Sequence, residues 1–342
     1  MSDHQPGPVT LLDVATEAGV SMATASRAFN GSTRKVHEDL RLRVLAAASK
    51  LNYTANTQAQ AMARGRTNVV GLVVHDIADP YFSSITAGVM QAAMEHQLLV
   101  TVGSTMRRPE RELDYLASLR GQRSRAAILS GSRVDKPELM EALNKEIHAF
   151  ERSGGRVVVI GQQRLPVDTI EIQNRGGAKA LATELIALGY RRFAILAGPR
   201  TLLTARDRFQ GFQEAVSKAR LPEPVIVNDE FTRDGGYGAM ITVLDLKKRV
   251  DAVFAVNDVM AVGAMAACRD RGLRLPTDMA LAGFDDIETL RDVDPALTTV
   301  RLPLADVGAT AVELVVTADG PEPRRRRIKG EVIVRASTPR RS

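Results

Sequence analysis

Between Met22 and Asn30 the sequence sets Thr24, Ser26 and Arg27 on the outward side of a short helical pattern, and their chemistry suits a nucleic acid. Arg27 can pair bidentately with guanine, Thr24 and Ser26 can hold a phosphate or a base edge, and Met22 can touch a thymine methyl. Ala23 offers only shape or methyl contact, and Asn30 closes the run. Other chemistries are thinly represented. There is no phosphate-cradling Gly-x-x-x-x-Gly-Lys loop, no Gly-x-Ser-x-Gly nucleophile turn and no cysteine cluster for zinc. The five histidines are scattered at His4, His37, His75, His96 and His148. His75-Asp76, just after an apolar run, could face a cleft, but a lone pair of this kind is more often structural. No enzymatic activity, metal or cofactor is expected.

A surface such as that around Arg27 needs a rigid support, and the first 51 residues supply three short helical patterns. The first runs from about Leu11 to Ala18, with Thr10 as N-cap and Asp13 three residues on. Gly19-Val20 ends it, Ser21 caps a second through Phe29, and a third covers Glu38 to Leu51. Val14, Ala18, Val20, Ala25 and Ala28 fall where the interior should be, Ala15 is small enough for close approach, and Gly19 can adopt positive φ. Any one of these residues fits an ordinary helical hairpin. Five interior positions, a turn glycine and two caps together select a helix-turn-helix.

From Val69 onward short apolar runs alternate with amphipathic stretches: Val69–Val74, Leu98–Gly103, Ala126–Ser130, Arg156–Ile160, Phe193–Ala197, Ala252–Ala255 and Met279–Gly283. That alternation marks repeated βαβ units. The expected fold is an all-α helix-turn-helix head followed by an α/β core of two parallel-sheet, Rossmann-like lobes. The head occupies 1–54, a hinge 55–66 and the core 67–342, with lobes of about 67–161 and 162–296 and a C-terminal return. Ligands belong at the strand carboxyl ends.

Length and composition agree: 342 residues, 44% hydrophobic and 25% charged, support two or three folded units. The N-terminus lacks a basic flank with an apolar core, and no apolar run approaches the ~18 residues that span a bilayer. Cys268 is the only cysteine, which fits a reducing cytoplasm. The net charge of +6 is uneven, because residues 1–66 carry eight Lys and Arg against five Asp and Glu, and 320–342 carry eight against two. The run Arg324–Arg327 reads as a solvated edge sooner than as a nucleic-acid patch.

The string Val9-Thr10-Leu11-Leu12-Asp13-Val14-Ala15-Thr16-Glu17-Ala18-Gly19-Val20-Ser21, continued by Ala23-Thr24-Ala25-Ser26-Arg27-Ala28-Phe29-Asn30-Gly31, resembles the opening of lactose-repressor (LacI/GalR) family regulators. The resemblance covers residues 9–336 and takes in Asp79-Pro80-Tyr81-Phe82, Arg208-Phe209-Gln210-Gly211-Phe212, Asn257-Asp258 and Gly283-Phe284-Asp285-Asp286. It implies a homodimer, with tetramer formation left open, whose heads read a roughly palindromic operator on double-stranded DNA. It also implies a periplasmic-binding-protein-like core that clamps a small-molecule effector; most such proteins repress, and most of those are released by a sugar. A transport binding protein would share that core but would not need the head.

Carried over position by position, the resemblance assigns DNA contacts to Thr10, Ser21, Met22, Ala23, Thr24, Ser26, Arg27, Asn30 and Tyr53. In the hinge it matches Asn56, Ala59 and Gln60 and puts Met62 where a leucine wedge is usual, with Ala55 replacing the usual proline. For a sugar it points to Arg208, Asp285 and Asn257 as hydrogen-bonding groups and to Tyr81, Phe82 and Phe231 as faces. Each has a plainer alternative: Phe82 in the core, Asp285 capping a turn, Arg208 on the surface. Gly161 stands where an acidic residue is common, and Leu302 and Leu304 where a polar and an aromatic residue occur. A pocket less polar than a hexose site is expected, and a sugar acid, a glycoside or a non-sugar all remain open as effector.

Overall fold

The computed structural model describes residues 9–30, 36–54, 65–317, 320 and 322–341. The hinge positions Ala55, Asn56, Ala59, Gln60 and Met62 lie outside the described residues, as does the side chain of Asn30. The chain divides into two compact units, Met1–Thr67 and Asn68–Ser342.

The first unit is built on α1 (Leu11–Glu17), α2 (Met22–Asn30) and α3 (Glu38–Lys50). Thr10 and Asp13 satisfy each other's backbone: Asp13 N donates to Thr10 Oγ1 at 3.4 Å, and Thr10 N to Asp13 Oδ2 at 2.8 Å. Helix α1 stops because Gly19 takes φ +62°, which lets Val20 N return to Ala15 O at 3.0 Å. Arg43 of α3 donates to the terminal Ala18 O at 2.6 Å. Ser21 Oγ accepts from Thr24 N at 3.1 Å and starts α2. Val14, Ala15, Ala18 and Ala25 bury against Val44, Ala47 and Ala48, so small side chains let the three helices close on one another. Val20 and Ala28 are half-buried at its edge.

The second unit begins with β1 (Val69–Val74), α4 (Pro80–Glu95), β2 (Leu99–Ser104), α5 (Arg111–Gly121), β3 (Ala126–Ser130), α6 (Pro137–Arg152), β4 (Arg156–Ile160) and β5 (Asp168–Ile172). It continues with α7 (Asn174–Ala187), β6 (Phe193–Leu196), α8 (Leu203–Lys218), β7 (Val225–Val227), α9 (Arg233–Asp245), β8 (Ala252–Ala255), α10 (Asp258–Asp270) and β9 (Ala280–Ala282). β10 (Thr299–Arg301), α11 (Leu304–Val316), β11 (Arg325–Ile328) and β12 (Glu331–Ile333) close it. Two parallel sheets result, β11-β5-β4-β3-β1-β2 and β7-β6-β8-β9, with β10 and β12 forming a separate antiparallel pair. β1, β3, β6 and β8 are apolar along nearly their whole length because helices cover both faces of each sheet. Helix α11 returns to the first lobe and lies against α4 at Gly88, where a Cβ would fall 2.0 Å from Ala305 O.

The lobe boundary differs from the expected 161. β5 pairs with β4, Val158 opposite Asp168 and Ile160 opposite Ile170, so the first lobe extends to Ile172 and also holds α11 and β11. Between the lobes the chain passes near residues 173, 302–303 and 329–330. β5, β7 and β10 to β12 escape the apolar-run signal because they are three to five residues long and several carry charge. The arginine run lies on β11, the sheet's outer strand: Arg324 pairs with Asp168 at 2.6 Å, Arg325 pairs with Glu171, and Arg325 to Arg327 are exposed. That matches a solvated edge.

Candidate functional site

In the head, Met22, Ala23 and Arg27 are exposed on α2, while Thr24 and Ser26 are half-buried beside them. Arg27 Nε donates to Ala23 O at 3.0 Å. Thr24 Oγ1 lies 2.9 Å from Ser21 Oγ. Thr10 is engaged by Asp13, and the ring of Tyr53 packs edge-on against Phe29, 5.6 Å between centroids. Thr10, Ser21 and Tyr53 therefore carry structural work as well as any contact with a ligand. Asn30, Asn56, Ala59 and Met62 cannot be placed, their side chains being outside the described residues.

In the core, the carboxyl ends of β1, β3, β4 and β5 face those of β6 to β9 across a cavity of about 380 Å³. All six side chains expected there, Tyr81, Phe82, Arg208, Phe231, Asn257 and Asp285, line it. Arg208 is only 2% exposed. Its fork is fixed by the protein: Nε donates to Asn174 Oδ1 at 2.8 Å, Nη1 to Val256 O at 2.8 Å and Nη2 to Asp285 Oδ1 at 2.7 Å, and the guanidinium lies 3.9 Å from the Phe284 ring centroid. It is no surface charge. Asp285 sits at φ +126° and Asp286 at φ +59°, a backbone that non-glycine residues seldom adopt and that turns the Asp285 carboxylate toward Arg208.

Beneath that turn Asp258 is fully buried, accepting from Ile287 N at 3.1 Å and from Thr299 Oγ1 at 2.8 Å. Burial, helped by the nearby Asp285, pushes its carboxyl up to about 8; burial likewise raises Asp285 to about 6 against the pull of Arg208. Burial also raises the Tyr81 hydroxyl. Asn257 Oδ1 caps α10, accepting from Met260 N at 2.9 Å, so its amide nitrogen is the group left for a ligand. Phe82 is both wall and core, 7% exposed and edge-on to Tyr81 at 4.9 Å.

The cavity wall also carries His75, Asp79, Arg107, Lys136, Asn174 and Glu230, of which the sequence placed only His75 near a cleft. The wall is mostly apolar, as expected, but not through Leu302 and Leu304, which are buried away from it, and charged side chains of both signs stand at its rim. At Gly161 a Cβ would meet Gly131 O at 2.6 Å, which leaves no room for an acidic side chain. His75 and Asp76 do not act as a pair. His75 Nε2 faces Glu112 at 3.8 Å, whereas Asp76 binds Arg107. Burial alone would raise Glu112, but Arg133, bidentate at 2.6 and 2.7 Å, and His75 together bring it down to about 2. Among the described residues no group of three His, Cys, Asp or Glu is placed to hold a metal ion, and no helix is long and apolar enough to cross a membrane.

A helix-turn-helix head and a two-lobed cleft on one chain are the parts of a ligand-responsive DNA-binding regulator. Comparison with known proteins agrees. The lacI family of bacterial regulatory proteins matches residues 10–56, and a periplasmic binding protein-like domain matches 182–338. The HTH-type transcriptional regulator CelR of Thermobifida fusca is 33% identical over 96% of this chain and 98% of its own length. A solved CelR–cellobiose complex is 30% identical, covers 96% of this chain and 99% of its own, and has a TM-score of 0.70. The Lac repressor dimer bound to operator and the anti-inducer ONPF has a TM-score of 0.84 at 25% identity, covering 97% of this chain and 100% of its own. The chain belongs to the lacI family and is a DNA-binding transcriptional regulator.

Proposed function

We propose that this regulator is a cytoplasmic homodimeric repressor that holds a pseudo-palindromic operator and leaves it when a sugar or sugar derivative enters the cleft. The observation that carries this reading is Arg208, a buried guanidinium fixed by Asn174, Val256 O and Asp285 at the wall of a cavity between two lobes. Such a pre-set donor and acceptor pair, flanked by the half-buried rings of Tyr81 and Phe231, matches vicinal hydroxyls and a sugar face. The cellobiose and operator complexes of the relatives support it. Residues 1–54 read DNA, 55–66 form the hinge with Met62 as minor-groove wedge, and 67–342 bind effector and partner subunit. The DNA contacts are Thr10, Ser21 to Thr24, Ser26, Arg27, Asn30 and Tyr53, joined by Asn56 and Ala59.

Linkage makes the reading testable, because a ligand that lowers operator affinity must bind the operator-bound protein more weakly by the same factor. Calorimetric titration with cellobiose, ribose and a panel of other mono- and disaccharides, run beside operator binding with and without each sugar, should find at least one that does both. Arg208→Ala should then lose that response, since removing a charged hydrogen-bond partner costs ~1.5–3 kcal/mol. Wild-type affinity in Arg208→Ala would refute the assignment. Operator binding tightened by the sugar would make it a corepressor.

A further inference from the structure

We propose that Arg107 is a specificity-determining residue of the cleft: its guanidinium fixes the spacing between the aromatic wall of the first lobe, Tyr81 and Phe82, and that of the second, Phe231. The proposal rests on the cleft being an effector site. Arg107 follows β2 in a loop where Met106 (φ 53°) and Arg107 (φ 60°) are both left-handed, a conformation two successive non-glycine residues hold only when their surroundings fix it. The loop is pressed against the residues after β1, with Arg107 N donating to His75 O and Thr105 N to Val74 O, each at 2.9 Å.

From there the side chain spans the cleft. Nε reaches Asp76 Oδ2 at 3.2 Å, Nη2 reaches Asp79 Oδ2 at 3.3 Å, and Nη1 donates to the Phe231 carbonyl of the other lobe at 2.9 Å. Asp79 is the N-cap of α4, its Oδ1 accepting from Tyr81 N at 3.1 Å, so Arg107 grips the residue from which Tyr81 and Phe82 start. One rigid, planar fork thus touches the supports of both walls. Lysine, a point charge, could serve one carboxylate but not all three acceptors. Burial raises the Asp79 carboxyl, and the Tyr81 amide and Arg107 draw it back. A ligand lying between the rings must fit the gap this side chain sets.

The sequence contains no tryptophan, so Phe231→Trp in the full-length chain gives a single fluorescent reporter at the second wall. Adding Arg107→Gln should shift its emission to longer wavelength and increase acrylamide quenching, and Arg107→Lys should recover part of the protection. In the native Phe231 background, Arg107→Gln should flatten the ranking of the sugar panel, narrowing the affinity ratio between the best mono- and disaccharide roughly tenfold, the equivalent of one charged hydrogen bond. A melting scan shows that each variant is folded. Unchanged emission and quenching in Arg107→Gln would overturn the role of Arg107. A panel in which the wild type binds no sugar would instead overturn the sugar reading, and the fluorescence would still decide the position of Phe231.

Discussion

The proposed DNA-reading face of the head and the proposed effector cleft of the core present their polar groups in opposite ways. On α2, Met22, Ala23 and Arg27 lie exposed, and Arg27 is held by a single bond to its own helix. In the cleft, Arg208, Asp285 and Asn257 are buried and bonded to the protein. The difference lies in when desolvation is met. Groups on the head lose water only on docking, so their substitution should act on affinity; cleft groups lost theirs during folding, so substitution there should act on stability as well.

Asp258 should mark that difference most strongly. Its carboxyl is raised from an ordinary 3.8 to about 8, so the fold favours the protonated form. Stability from this group is fully present below the unfolded value and is lost as pH rises through the folded one, and Asp285, raised to about 6, adds in the same direction. Scanning calorimetry should therefore find the core melting lower at pH 9 than at pH 6. Asp258→Asn, which keeps the shape and cannot ionise, should flatten the upper part of that slope. In the head, the exposed Asp13 carboxyl is shifted the other way, lowered by its bonds to Thr10. An unchanged slope in Asp258→Asn would mean that Thr299 and the Ile287 amide keep Asp258 ionised at neutral pH.

The same contrast explains what could be read in the sequence. The caps and turn glycine of the head depend on neighbours a few residues away, and Thr10, Asp13, Gly19 and Ser21 all stand as their spacing implies. Apolar strands buried on both faces were equally plain. β5 and β11 were not, since Arg324 pairs with Asp168, and Arg325 and Arg327 with Glu171, across more than 150 residues, and no local pattern encodes that. The six cleft residues came from family resemblance. Arg107 escaped, as did the Glu112 partner of His75 and the Thr299 partner of Asp258, because these contacts are brought together only by the folded chain.

Arg27→Ala tests the other side of the contrast. It should weaken operator binding by roughly 1–3 kcal/mol and relax preference at one base pair per half-site. Unfolding of the head should move by no more than about 0.5 kcal/mol, as for a surface substitution. Equal loss on specific and random DNA would reduce Arg27 to a phosphate contact. A large loss of stability would show that the bond to Ala23 O matters to the fold and would blur the distinction between the two regions.

Thr10 is where the two designs meet, because it is proposed as a DNA contact yet its hydroxyl is bound within the protein at 2.7 Å from Asp13 Oδ2. Thr10→Ala removes one half of the capping box and should destabilise the head by about 1 kcal/mol. Thr10→Ser keeps the hydroxyl and should keep that stability. If Thr10 serves the helix alone, operator affinity measured well below the head's melting temperature should be nearly the same in all three proteins, and the dependence of log affinity on log salt should not change. A direct phosphate contact from a neutral hydroxyl also leaves the salt slope in place, because no counterion is released on its account. It would, however, weaken Thr10→Ala alike on specific and random DNA while sparing Thr10→Ser. Affinity lost without any change in head stability would assign Thr10 to the DNA, and stability lost without affinity would assign it to α1.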